Sequence, residues 1–175
     1  MEAVETVLTT ERLALRRLSD GDAEFIVALL NEPSFIQNVG DKGVRDASAA
    51  CAYIANGPVA SYERNGFGLW AVTLRDSAAP IGICGLLKRD SLDDVDIGFA
   101  FLPAHWSRGY AVESAMAVKK YARDVLGLAR LVAITVSDNH GSIRVLEKIG
   151  LRFETLVHLT DDGPELKLFA AELAP

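Results

Sequence analysis

The sequence predicts an α/β protein (mixed α+β) with a central mixed sheet of about seven strands and helices on both faces. Three observations lead there. Three strand-like runs, 67–74, 81–88 and 95–102, follow one another with turn residues between them, as in an antiparallel meander. A long helix with an apolar stripe comes next, and then the β-branched run "LVAITV" at 131–136. Such a strand–helix–strand crossover is right-handed and sets its two strands parallel. Two further segments with helical spacing precede the meander and supply the other helical layer.

Each element has a local reason. "RLALRRL" (12–18) alternates as a strand does. Ser19 is placed as the N-cap of the next helix, with Asp22 three residues on as a capping-box variant. Phe25, Ile26, Leu29 and Leu30 then recur at helical spacing, and Pro33 ends that helix or follows its end. A second helix is read over 46–56, capped by Asp46 and closed by Gly57. In the long helix, Ala111, Ala115, Val118, Ala122 and Val125 fall on one face, and Gly127 is its stop. "SIRVLEKI" (142–149) reads as a short helix ended by Gly150. "LRFETLVHL" and "ELKLFAAEL" flank the turn "TDDGP" as a last hairpin.

The 175 residues show no repeat, low-complexity tract or linker, so a single domain over 1–175 is expected. No apolar run is long enough to span a bilayer, and the first residues lack the basic and apolar regions of a secretory signal. Cys51 and Cys84 stand apart, with no C-x-x-C pair and no disulfide framework, which fits a reducing cytoplasm. A formal net charge of −6 argues against nucleic acid as a partner; it is compatible with a cationic substrate, and the plainer reading is that it only keeps the protein soluble. His105, His140 and His158 have no metal-ligand spacing. "GFGLWA" (66–71) matches a dinucleotide fingerprint in letters only, because it opens a strand where that motif must open a helix. No P-loop and no G-x-S-x-G elbow is present.

Ligands of such sheets favour the C-terminal ends of parallel strands. Those ends carry "LPAHWSRGYA" and "SDNHGS", polar loops that contain glycine. A helix start leaves backbone N–H groups unpaired and partly positive, and a glycine there lets a phosphate reach them. Arg108, Gly109, Tyr110 and Ala111 form such a start; an ordinary turn before a helix is the alternative.

Together these segments resemble the GCN5-related N-acetyltransferase (GNAT) superfamily and its acyl-CoA N-acyltransferase fold. The family's Q/R-x-x-G-x-G/A motif corresponds to Trp106-Ser107-Arg108-Gly109-Tyr110-Ala111. Tryptophan at the first position is familiar in the ribosomal-protein N-terminal acetyltransferase (Rim-type) branch, whose W-G-K-G-Y-A-x-E form is met here with Ser107 for the first glycine. "NHGSIRVLEKIGLRF" fits N-x-x-S-x-x-x-x-x-K-x-G-F, and "TERLALRRLSDGDAEFI" resembles the branch's opening.

The resemblance implies an acetyl-CoA-dependent enzyme, without metal, in which an amine attacks the thioester directly. Arg108, Gly109, Tyr110 and Ala111 would hold the pyrophosphate. Backbone groups of Phe99, Ala100 and Phe101 would line the pantetheine arm, and one of their N–H groups would polarise the thioester carbonyl. Asp96 is the first candidate for the base, one methylene shorter than the glutamate of histone-acetylating members; a solvent-facing strand carboxylate is the plainer alternative. Glu113 is a second candidate, set against an ordinary acid in a helix's first turn, and bulk water is a third. The tyrosine that many members place near the leaving thiolate is Leu146 here, so Ser142 is the candidate donor, or only a helix cap. Asn139 would bind the pantetheine amides. Arg144 and Lys148 are candidates for the outer phosphate, and Arg45 for a substrate carboxylate or a loop salt bridge. Trp70 and Cys84 read as core. The acceptor is read as a primary amine of a protein or peptide N-terminus. A small-molecule amine, a non-catalytic acyl-CoA-binding sensor and another nucleotide-binding α/β enzyme are the alternatives.

Overall fold

The computed structural model describes residues 4–173. Eight strands form one sheet in the order β1-β2-β3-β4-β5-β6-β8-β7. They are β1 (Thr6–Thr9), β2 (Leu13–Arg16), β3 (Leu69–Leu74), β4 (Pro80–Leu87), β5 (Asp96–Phe101), β6 (Arg130–Thr135), β7 (Arg152–Val157) and β8 (Leu166–Glu172). The helices are α1 (Ala23–Leu30), α2 (Pro33–Asn38), α3 (Ala47–Ile54), α4 (Ala60–Asn65), α5 (Tyr110–Asp124) and α6 (His140–Lys148). Among the described residues only β5 and β6 pair in parallel, joined by the α5 crossover as predicted. The eighth strand, β1, pairs with β2 across a tight turn at 10–12.

Two buried layers sandwich the sheet. On one face Ala115, Val118 and Ala122 of α5, Leu146 of α6 and Ile149 just past its end pack on Trp70, Cys84, Ile97 and Leu131. Small residues at 115 and 122 let α5 lie close to the strands, and Trp70 meets the Tyr121 ring edge-on at 5.4 Å. On the other face Ile26, Leu29 and Leu30 of α1 and Ala50 and Ile54 of α3 cover Ala71 and Ile83. Fully burying one such aliphatic side chain contributes roughly 1.5–3 kcal/mol. Cys84 is wholly buried, and burial pushes its thiol up to about 12, consistent with a packing role.

Several expected boundaries are corrected. Pro33 follows the end of α1, as one of the two expected readings had it, and it also opens a helix that was not foreseen: it is the first residue of α2, where its missing N–H costs nothing. Gly57 does not stop α3. The chain widens into a π-turn over Ala55–Val59, where Pro58 lacks a donor, and runs on into α4. The stop is Gly66, left-handed at φ +79°. Tyr62 of α4 donates its hydroxyl to the Leu69 carbonyl and accepts the Leu18 N–H, tying this continuation to β2 and β3. Val125 lies just past α5 and is exposed. Asn139 caps α6, and Ser142, expected as its cap, sits one turn inside.

Candidate functional site

β5 and β6 touch at one register pair, Asp96 beside Val132, closed by the Val132 N–H on the Val95 carbonyl at 3.1 Å. Beyond that vertex β5 stays with β4 as far as Phe101, and β6 stays with β8 as far as Thr135. The two strands therefore splay apart toward their C-terminal ends. The bond from Leu102 N–H to Ile81 C=O (2.9 Å) sets the phase of β5. Peptide groups alternate direction along an antiparallel strand, so even-numbered residues of β5 face β4 and odd-numbered ones face the gap. By the same rule Leu131, Ala133 and Thr135 bond β8, following the Leu173 N–H to Ala129 C=O bond (2.8 Å), and Ile134 faces the gap.

Phe99, Ala100 and Phe101 are thus not equivalent. Phe99 directs both its N–H and its C=O into the wedge, with Ile134 opposite. Ala100 spends its peptide groups on Ile83 of β4. The Phe101 carbonyl is taken by the Trp106 indole N–H at 2.8 Å, which leaves only its N–H on the wedge side. That indole anchors the loop leading to α5, a role the sequence did not announce.

The start of α5 lies beyond the open end of β5. Gly109 sits at φ +83°, and the first intrahelical bond runs from Glu113 N–H to Gly109 C=O at 3.0 Å. The N–H groups of Tyr110, Ala111 and Val112 consequently have no partner within the helix. Arg108 is exposed beside them. Ser107, where the Rim-type form has glycine, is also left-handed, at φ +62°.

At the end of β6, Asn139 Oδ1 accepts the Ser142 N–H (3.3 Å) and Asn139 Nδ2 donates to Ser142 Oγ (3.0 Å). The backbone donor fixes which way the amide points, so Ser142 Oγ is the acceptor and its own proton is free for another partner. Ser142, Leu146 and Ile149 share one helix face; Leu146 is core, and Ser142 is half-buried one turn nearer the wedge. Arg144 and Lys148 are exposed on other faces of α6.

Asp96 is not on a solvent face. It is 1% exposed at the vertex, on the sheet face shared with α3, and its carboxylate meets Arg89 Nε at 3.1 Å. Burial pushes this carboxyl above the usual carboxylate range, against the pull of Arg89. Glu113 is a poor base by contrast. Its carboxylate accepts from the Thr10 hydroxyl (2.5 Å), the Arg12 N–H (3.0 Å) and Arg12 Nε (2.7 Å), and these bonds outweigh its partial burial and hold it below its ordinary value. Arg45 is engaged in a loop, on Asp41 (2.6 Å) and Asn31 (2.6 Å). Arg12 and Thr10 went unnoticed in the sequence because nothing local pairs them with a residue about a hundred positions away.

A splayed parallel pair followed by a glycine-led helix is matched by family-level comparison. Residues 12–152 match the model of the acetyltransferase (GNAT) domain. The chain belongs to the GNAT acetyltransferase family. It is 31% identical over 149 residues to the uncharacterized N-acetyltransferase YoaA of Bacillus subtilis (strain 168), covering 85% of this chain and 84% of that one. The crystal structure of an acetyltransferase from Agrobacterium tumefaciens str. C58 superposes with a TM-score of 0.82 at 26% identity, covering 98% of this chain and 96% of that one. RimL, a ribosomal L7/L12 α-N-protein acetyltransferase solved with coenzyme A, shares the fold at a TM-score of 0.82 and 14% identity, over 97% and 98% of the two chains. This GNAT protein is an acetyl-CoA-dependent N-acetyltransferase. Its wedge offers unpaired peptide groups to an arm that carries amides, and its α5 start offers N–H groups to a pyrophosphate, so the residues present fit that co-substrate. Among the described residues there is no cluster of side chains that could hold a metal ion, and no helix is long and apolar enough to cross a membrane.

Proposed function

We propose that the protein acetylates a primary amine at a protein or peptide N-terminus, with Asp96 as the base. The observation that carries the chemistry is a buried carboxyl of raised pKa at the vertex of the open wedge. An ammonium has no lone pair to attack with. A carboxylate whose proton affinity is raised by burial is better matched to removing that proton, directly or through one water. Phe99 N–H is the donor for charge on the thioester oxygen: β4 does not use it, and along β5 it lies nearer Asp96 than the equally free N–H of Phe101. The Ser142 hydroxyl donates a hydrogen bond to the departing thiolate and keeps its proton. Arg108, Gly109, Tyr110 and Ala111 cradle the pyrophosphate, and Asn139 keeps a second amide hydrogen for the pantetheine arm. Support for a peptide acceptor is the Rim-type form of Trp106–Ala111 together with the matching opening segment.

The test is calorimetric titration with acetyl-CoA followed by thiol-release assays on panels of N-terminal peptides and small amines. Turnover confined to peptides supports the proposal. Turnover confined to small amines overturns the acceptor but leaves the wedge chemistry standing.

A further inference from the structure

We propose that Arg12 is the positioning residue of the phosphate-binding loop, a latch reaching from the β1–β2 turn to the start of α5. The proposal rests on reading that helix start as the pyrophosphate cradle. Arg12 makes four kinds of contact there. Its Nε pairs with Glu113 at 2.7 Å, and its backbone N–H reaches the other carboxylate oxygen at 3.0 Å. Its Nη1 donates to the Arg108 carbonyl at 2.9 Å. Its guanidinium lies over the Tyr110 ring, 4.4 Å from the centroid. Its Nη2 would stand 3.3 Å from a Cβ at position 109, a tight contact at a residue whose φ of +83° already favours glycine.

The bond to the Arg108 carbonyl is the informative one. In a trans peptide the C=O of residue 108 and the N–H of residue 109 point in opposite directions. Pinning that oxygen on Arg12 turns it away from the anion's side and aims the Gly109 N–H toward it, in line with the free N–H groups of Tyr110, Ala111 and Val112. Without Arg12 the same peptide can rotate, because glycine sets no barrier, and present its negative end to the phosphate. Glu113 meanwhile offsets the charge of Arg12. The latch therefore acts by orienting the peptide, and the full charge near the phosphates is that of Arg108. Lysine has no fork with which to reach Glu113 and the Arg108 carbonyl together.

The experiment separates the phosphate end of the co-substrate from its thioester end. Arg12→Gln, Arg12→Lys, Glu113→Gln and the Arg12→Gln/Glu113→Gln double variant are compared with wild type. Each is titrated with coenzyme A and assayed with S-acetylpantetheine, which carries the thioester and no phosphate. Arg12 is 43% exposed along its side chain, so its replacement leaves the core intact, and melting temperatures check this. Arg12→Gln and Arg12→Lys are expected to weaken coenzyme A binding about ten- to a hundredfold, as for loss of hydrogen bonds to a charged group. Turnover of acetylpantetheine should stay at the wild-type level. The double variant should bind no more weakly than Arg12→Gln alone, since both changes open one latch. Full rescue by lysine, equal losses with both thioesters, or additive losses in the double variant would overturn the proposal. If wild type binds coenzyme A no better than the phosphate-free fragment, the cradle reading itself fails and the latch falls with it.

Discussion

Asp96 is a carboxylate placed where the sheet is driest, and its cost and its use have the same origin. Burial disfavours the charged form, so the folded protein holds this proton to a higher pH than the unfolded chain, whose aspartates ionise near pH ~4. Between those two values the folded state binds more protons. Raising the pH through that window therefore lowers stability, and the loss persists at neutral pH. Asp96→Asn removes it. The variant should melt at a higher temperature than wild type at pH 7, with the difference shrinking toward pH 4; Arg89 loses a partner but keeps its hydration, being 37% exposed. In the same variant kcat should fall and the acidic limb of the kcat/KM profile should vanish. An unchanged limb would transfer the base to water. Ser142 is separable from Asp96 because its oxygen is already bonded by Asn139 and only its proton is free. Ser142→Ala should lower kcat about ten- to a hundredfold, as for loss of a hydrogen bond to a charged group, with acetyl-CoA affinity unchanged by calorimetry. Equal kcat would reduce Ser142 to a packing residue.

In the proposed site the phosphate cradle is the first turn of α5 with the loop that feeds it. Two consecutive left-handed turns, at Ser107 and Gly109, bring the chain from β5 into the helix. Glycine accepts that conformation freely; serine does so at a cost of roughly 1–2 kcal/mol. Ser107→Gly relieves the cost and forfeits ~0.5–1 kcal/mol through the looser unfolded chain. A net gain of about 0.5–1 kcal/mol in urea unfolding is expected, with coenzyme A affinity retained; a destabilised variant would show that the serine hydroxyl makes a bond worth more than the strain. This loop also marks what the sequence made legible. Its glycine, its arginine and the crossover around it were readable because each rests on a local rule: strand alternation, helical spacing, a cap. The register phase of β5 was not readable. Which of Phe99, Ala100 and Phe101 opens toward the gap depends on pairing with β4, where their partners are Cys84, Ile83 and Gly82. The π-turn at Ala55–Val59 was hidden for a related reason: Gly57 and Pro58 look like a stop until Tyr62 is seen anchoring the chain beyond them to β2 and β3. The Arg12–Glu113 pair lies furthest out of reach, since no periodicity joins two residues 101 positions apart in sequence.

At the scale of the molecule the sheet is two half-sheets hinged at a single parallel contact. β1 to β5 form one antiparallel block and β6, β8 and β7 another, and Asp96 beside Val132 joins them. Antiparallel pairing satisfies the inner strands of each block, whereas the facing edges of the wedge keep the peptide groups of Phe99 and Ile134 unspent. A ligand that fills the wedge supplies the missing partners for both edges at once, so binding and cohesion of the halves are thermodynamically linked. At a hundredfold excess over its Kd, acetyl-CoA should stabilise the folded state by about 2.7 kcal/mol. The gain should also be localised. Amide hydrogens of Phe99 and Ile134 should exchange quickly in the free protein and slow markedly in the complex, while those of Ala100 and Ala133, already bonded to β4 and β8, change little. Protection of α5 alone would mean that the phosphates bind while the arm stays outside the gap, and the splayed strands would then be a feature of the fold without a part in the chemistry. Protection that alternates by residue along both strands would show that the odd peptide groups of β5 and the even ones of β6 are the surface on which the acetyl donor is held.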